Sequence, residues 1–162
     1  MPTLILLRHA KSDWTTGDDD RRRPLATRGR RAAAVLGKFL SHVAHVPDLA
    51  ITSPAERAVS TLRLAMDAGD WSCPVREVAA LYDGGVDDLI RELRSIDGSV
   101  SVLLAVGHEP TWSDAVSMLT GGSEVRMPTA AAARIDFDHI TWPQVGAGAG
   151  LLSWLVTPRL LQ

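Results

Sequence analysis

The chain contains one cysteine, Cys73. A lone thiol excludes an internal disulfide and a thiolate-rich metal site, and in its apolar setting it reads as a small packing side chain of a reducing compartment. Charge of one sign is also lacking: the formal net charge is -2, so no global basic surface exists for non-specific binding of nucleic acid or an anionic membrane. Long apolar runs are missing too. The stretch Leu4 to Leu7 has no cationic flank ahead of it and stops at Arg8, too soon for the core of an export signal, so the expected location is the cytoplasm. Val145 to Leu161 is apolar overall, but Gly146, Gly148, Gly150, Pro158 and Arg159 interrupt it, whereas a bilayer span needs about 20 apolar residues. It reads as a turn followed by a buried strand. With no repeat and no low-complexity linker, the expectation is a single domain over residues 1–162. That length buries about 70% of the surface an unfolded chain exposes.

What the chain does have is alternation between two kinds of pattern. Short apolar runs at Thr3 to Leu7, Asp48 to Thr52 and Ser101 to Val106 suit strands buried on both faces of a parallel sheet. Further strands are predicted at Ala131 to Phe137 and Leu151 to Thr157. Between them lie helical patterns. Thr27 is placed to cap a helix reaching about Ser41, and Pro54 to open a second one running to about Ala68. A third is predicted from Val86 to Ile96, and a fourth from near Thr111 to just before Gly121-Gly122. The fold class is therefore α/β, a mostly parallel sheet with helices on both faces.

Chemistry gathers where strands end. Arg8-His9 follows the first run, Ser53 to Arg57 follows the second, and Gly107-His108 follows the third. In open α/β sheets, ligands settle outside the carboxyl ends of strands, where successive loops converge. A phosphoryl group offers negative charge and acceptor oxygens that the planar guanidinium forks of Arg8 and Arg57 bind bidentately. Arg57 falls in the first turn of its helix, where free backbone N–H groups add favourable potential. A neutral His9, its tautomer fixed by a hydrogen bond, is a competent nucleophile towards phosphorus, and His108 can donate to the transferring oxygens. One such residue alone means little, since an isolated Arg is usually a surface side chain and a lone His usually a structural one. Three separate segments converging on one edge carry the inference.

The motifs RHAKSDW, RPLATRG, SPAERAVST, LYDGG, VGHEP and MPTAA, in this order, resemble the histidine phosphatase superfamily, whose fold is phosphoglycerate mutase-like, and most closely its small SixA-like phosphohistidine phosphatase branch. The resemblance spans Leu4 to about Pro158. It implies a hydrolase in which His9 is the phosphorylated nucleophile, Arg8 and Arg57 hold the phosphoryl group and His108 completes the pocket, with no metal and no cofactor. Ala10 stands where glycine is common after the nucleophile, as in the SixA-like branch, and Glu109 stands where an amide is frequent and makes the rim more acidic. Many relatives draw a proton donor from a loop after a middle strand; the best match is Asp83 of LYDGG, for which an exposed turn carboxylate is the plainer reading.

The implied partner is a phosphorylated protein or a small phosphorylated substrate. Imidazole leaves phosphorus more readily than an alkoxide, so a site without a strong acid should favour phosphohistidine over alkyl phosphates. The alternatives are a small-molecule phosphomonoesterase with the same site, a metal-dependent phosphatase using Asp18 to Asp20, and a non-catalytic phosphate-binding module. A mutase is disfavoured because no segment is long enough to enclose the pocket. The charge run Asp18 to Arg23 reads either as a solvated loop or as a rim beside the site. His42 and His45 make an incomplete metal site, and the run Gly146 to Gly150 lacks nucleotide-loop spacing. Ser53 lacks the glycines of a nucleophile elbow and is read as support for Arg57. Of five tryptophans, Trp14 and Trp112 are the two close enough to the motifs to shape a pocket mouth.

Overall fold

Backbones of buried strands need partners on both sides, and the apolar runs supply them in one sheet. The computed structural model, which describes residues 1–162, has strands β1 (Thr3–Arg8), β2 (Leu49–Thr52), β3 (Val75–Glu77), β4 (Val102–Gly107), β5 (Ala132–Asp136) and β6 (Leu151–Val156). They are ordered β3-β2-β4-β1-β5-β6. The first four of that order are parallel; β5 is antiparallel to both β1 and β6. The sheet is thus mixed but mostly parallel, with β5 alone running against the rest. β3 escapes a sequence reading because Val75, Arg76 and Glu77 are all exposed and form no apolar run. β6 is a correction of another kind: it is an edge strand whose residues are exposed or half-buried, not the buried strand expected from its composition.

Helices α1 (Thr27–His42), α2 (Glu56–Gly69), α3 (Ala80–Asp83), α4 (Val86–Arg94), α5 (Thr111–Leu119) and α6 (Pro158–Leu161) cover the sheet. The alternation of β1 divides the core between its faces. Leu4 and Leu6 pack with Leu89, Leu93, Trp112 and Val116 of α4 and α5. Ile5 and Leu7 pack with Leu36, Leu40, Leu62 and Ala65 of α1 and α2. Full burial of each such aliphatic side chain contributes about 1.5–3 kcal/mol. None of these helices is long and apolar enough to cross a membrane.

Three helix boundaries differ from expectation. Thr27 lies inside α1, and Ala26, which has no capping side chain, takes the cap position. The preceding segment is held there by Ala26 N–H donating to the Lys11 carbonyl at 2.9 Å and Asp13 N–H donating to that of Pro24 at 2.8 Å. α2 begins two residues after Pro54, its start held by Ala55 N–H donating to Ser53 Oγ at 3.2 Å. α4 stops at Arg94, short of Ile96, with Ser95 as its cap. None of these shifts alters the edge that matters. Arg8 pairs with Gly107, and Thr52 with Val106, so His9, Ser53 and His108 leave three adjacent strands at the same carboxyl edge.

Candidate active site

The backbone of His9 is fixed on both sides of the chain. Its N–H donates to the Gly107 carbonyl at 3.0 Å, and its carbonyl accepts from Ala130 N–H at 3.1 Å. The next residue, Ala10, donates its N–H to Thr61 Oγ1 at 2.9 Å, and that hydroxyl donates to the Arg57 carbonyl at 2.6 Å. His9 and Arg57 are therefore tied to one another through α2. His108 is placed by Gly107: a Cβ there would lie 2.5 Å from the Trp112 ring, so only glycine lets that buried indole pack beneath the strand end.

The imidazoles of His9 and His108 face each other with centroids 5.1 Å apart. Nδ1 of His9 lies 2.8 Å from the Ala10 carbonyl. A carbonyl only accepts, so Nδ1 carries the proton and Nε2 keeps its lone pair. Burial pushes the His9 pKa down to about 3, with His108, Arg57 and Arg8 adding to the shift against the opposing bond to Ala10. His108 is lowered to about 4, again by burial first and Arg57 next. Its Nδ1 lies 3.4 Å from Arg57 Nη2, a pure donor, and its Nε2 lies 2.7 Å from Ser53 Oγ. Both rings are neutral at pH 7, in defined tautomers.

The two guanidinium groups are unequally engaged. Arg8 donates from Nη1 to the Met127 carbonyl at 3.0 Å. Arg57, nearly enclosed, donates from Nη1 to the Asp20 carbonyl at 2.6 Å and from Nη2 to its carboxylate at 3.2 Å. The Nε atoms of both arginines are buried with no acceptor in the protein. An unmet buried donor costs about 1–3 kcal/mol, more when charged, so both groups gain from any acceptor brought within reach of Nε. The charge run is a rim, as its second reading held. Asp20 accepts from the Tyr82 hydroxyl at 2.6 Å and pairs with Arg23 at 3.0 Å. Tyr82 first, then Arg57, hold the Asp20 carboxyl at about 2. Arg23 in turn lies 3.6 Å over the exposed Trp14 ring.

Other expected residues fall elsewhere. Asp83 is exposed at the end of α3, and no ion pair joins it to Asp20's network or to any arginine. Its neighbour Tyr82 is the side chain that meets His108, edge-on at 5.8 Å. Ser53 bonds to His108 rather than to Arg57. Trp112 is fully buried and donates to the Ala105 carbonyl at 3.3 Å, so it belongs to the core and not to the pocket mouth. Glu109 accepts from the Ser113 N–H and hydroxyl, both at 2.8 Å, which ties it to the first turn of α5. His45 stacks on Trp154 and contacts Arg134, while His42 is exposed. No three His, Cys, Asp or Glu side chains converge on one point.

A sequence model of the histidine phosphatase superfamily (branch 1) matches residues 4–93. The chain belongs to the histidine phosphatase superfamily. An uncharacterised chloroplastic protein of Arabidopsis thaliana is 31% identical to it, the match covering 96% of this chain and 77% of that protein. A putative phosphohistidine phosphatase SixA from Nakamurella multipartitia superposes with a TM-score of 0.83 at 27% identity, over 97% of this chain and 96% of that one. The protein histidine phosphatase SixA complexed with tungstate superposes with a TM-score of 0.86 at 22% identity, over 99% of each chain. This histidine phosphatase superfamily member therefore has the phosphoglycerate mutase-like fold of the SixA structures.

For this superfamily member, the buried imidazole has a consequence for stability. The His9 pKa is lowered on folding from about 6.5 to about 3, so its contribution is fully present above pH 6.5 and is lost as pH falls towards 3. The loss is about 1.4 kcal/mol per pH unit at most within that window. Denaturant unfolding at pH 7 and pH 4.5 should show an acid-induced loss about 2–3 kcal/mol smaller in His9→Ala than in the unsubstituted protein. Equal losses in the two proteins contradict the buried neutral ring.

Proposed function

We propose that this protein is a phosphatase that works through a phosphohistidine intermediate on His9, acts without a metal ion, and takes phosphohistidine in proteins as its preferred substrate. The observation that carries the reading is the Nδ1 bond of His9 to the Ala10 carbonyl at 2.8 Å. It presents an unprotonated Nε2 among two guanidinium groups and a second imidazole. Nε2 attacks phosphorus while the bond to the leaving group breaks, and the departing atom takes the electron pair. Arg8 and Arg57 offset the charge on the phosphoryl oxygens, and the approaching dianion raises the proton affinity of His108, which then donates to those oxygens. In a second step water attacks the phosphorus: a P–O bond forms as the N–P bond breaks, Nε2 takes back the electron pair, and the water's proton passes to the released phosphate or to solvent.

The acid side of the site favours a substrate with a good leaving group. Asp20 is held ionised at about 2 by Tyr82 and Arg57, and Asp83, the expected donor, is exposed at the end of α3. A departing imidazole needs less help from an acid than an alkoxide does. The substrate class named for the SixA structure with tungstate, a protein histidine phosphatase, points in the same direction.

Purified protein assayed on a phosphohistidine protein and on a simple alkyl phosphate should show kcat/KM higher for the first by about 100-fold or more, a transition-state difference of about 2.7 kcal/mol. Addition of a chelator should leave both rates unchanged. Equal turnover of the two substrates contradicts the substrate assignment, and loss of activity on chelation contradicts the metal-free mechanism.

A further inference from the structure

A second cationic feature lies on the same sheet edge. A cleft of about 470 Å³ is lined by Lys11, Arg28, Thr129, Thr157 and Arg159 among others, and no Asp or Glu lines it. Lys11, Arg28 and Arg159 take part in no ion pair, whereas Arg22, Arg23 and Arg57 beside the candidate site are each paired with an aspartate. Arg28 stands in the first turn of α1, a helix start with no acidic residue and no capping side chain. A cation there opposes the helix dipole, so three like charges and a positive helix end line one cleft, which also reaches the last residue, Gln162, and no aspartate or glutamate side chain offsets them there. Gly29 makes the convergence possible, since a Cβ at that position would lie 2.2 Å from the Lys11 carbonyl oxygen.

The register relates this cleft to His9. Leu7 of β1 is opposite Ala132 of β5, and Ala132 is opposite Val156 of β6. His9 and Thr157 therefore leave the same edge with only β5 between them, a separation of two strand spacings or about 10 Å. Lys11 and Thr129 bridge the interval: Lys11 follows His9 by two residues, and Thr129 follows the Met127 carbonyl that holds Arg8.

We propose that this cleft is a docking subsite for an acidic segment of a phosphorylated protein, with Arg28 and Arg159 receiving its carboxylates and the Thr157 end of the cleft about 10 Å from His9. The proposal rests on the phosphohistidine reading of the site and adds a partner of defined charge to it. An extended chain covers that distance in about three residues at about 3.3 Å each. Acidic side chains three to five positions from the phosphohistidine, or an acidic patch at that distance on a folded partner, are what the cleft selects. A phosphorylated small molecule is too short to reach both places.

Two peptides test this, each with one chemically phosphorylated histidine and either Glu or Gln at the third to fifth positions on both sides. At low ionic strength kcat/KM should be about tenfold higher for the Glu peptide, the scale of two or three exposed ion pairs. The ratio should fall towards one near 1 M salt, where the screening length is about 3 Å. The double variant Arg28→Glu with Arg159→Glu should lose the preference while keeping its rate on the Gln peptide within twofold. Both side chains are exposed, and the variant with Gln at both positions provides a milder loss in the same direction. A ratio of one in the unsubstituted protein, or a preference that survives in the double variant, overturns the cleft. Calorimetry with the unphosphorylated Glu peptide separates docking from chemistry. Binding that the double variant loses, with no hydrolysis of either phosphopeptide, keeps the cleft and overturns the phosphohistidine reading. Hydrolysis of both phosphopeptides at equal rates with no binding of the Glu peptide does the reverse.

Discussion

His9→Ala is expected to lower turnover by about 10⁴-fold or more, the scale seen when a covalent nucleophile is removed, while affinity for inorganic phosphate or tungstate changes by less than about tenfold. The two readouts separate because different groups govern them. In the proposed mechanism anion affinity rests on Arg8, Arg57 and His108, and His9 in its neutral form adds one lone pair and no charge. Turnover by the proposed covalent route needs that lone pair. The main chain around His9 is held by Gly107, Ala130 and Thr61 through backbone groups, so truncation of the side chain leaves the loop in place. Steady-state kinetics and calorimetric anion binding on the same preparation check both parts; retained turnover contradicts the covalent route.

Arg57→Ala is expected to lower kcat/KM by about 10³-fold, the upper range for removing one preorganised donor to a developing oxyanion. The size follows from the number of partners lost together. Arg57 is nearly enclosed, holds the Asp20 carbonyl and carboxylate, and reaches His108 Nδ1. Without it, Asp20 keeps Tyr82 and Arg23 but the rim loses its link to the imidazoles. Arg57→Lys should restore part of the charge and little of the geometry, because an ammonium cannot form the same fork. Its kcat/KM should fall between the two, with kcat recovering less than KM. An unchanged kcat/KM in Arg57→Ala, with folding verified by thermal denaturation, contradicts a role in transition-state stabilisation.

How much of this was readable from residue order depends on the range of each contact. β1 and β4 were legible because burial on both faces leaves an unbroken apolar run, and their final residues then mark the edge where Arg8, His9 and His108 stand. β3, with three exposed residues, has no such signature, and the open edge beside β6 removes the burial its composition suggested. The Asp20 bond to Arg57 joins residues 37 positions apart and the Tyr82 bond to Asp20 joins residues 62 apart. Neither spacing has a local pattern. The LYDGG motif pointed to the right segment, but successive residues on a helical turn diverge by about 100°, and Tyr82 rather than Asp83 is the one beside His108. Ser53 was legible as a supporting side chain and not by its partner, since both His108 and Arg57 lie within reach of that strand end.

The most direct test of the account is to trap the enzyme during turnover of a phosphorylated substrate and map the phosphate by mass spectrometry under conditions that preserve N–P bonds. The expected result is a single phosphorylated residue, His9, modified at Nε2, which forms and decays at rates compatible with turnover and is missing from His9→Ala. Phosphate on any other residue, or rapid turnover with no phosphorylated enzyme at any time point, would contradict it.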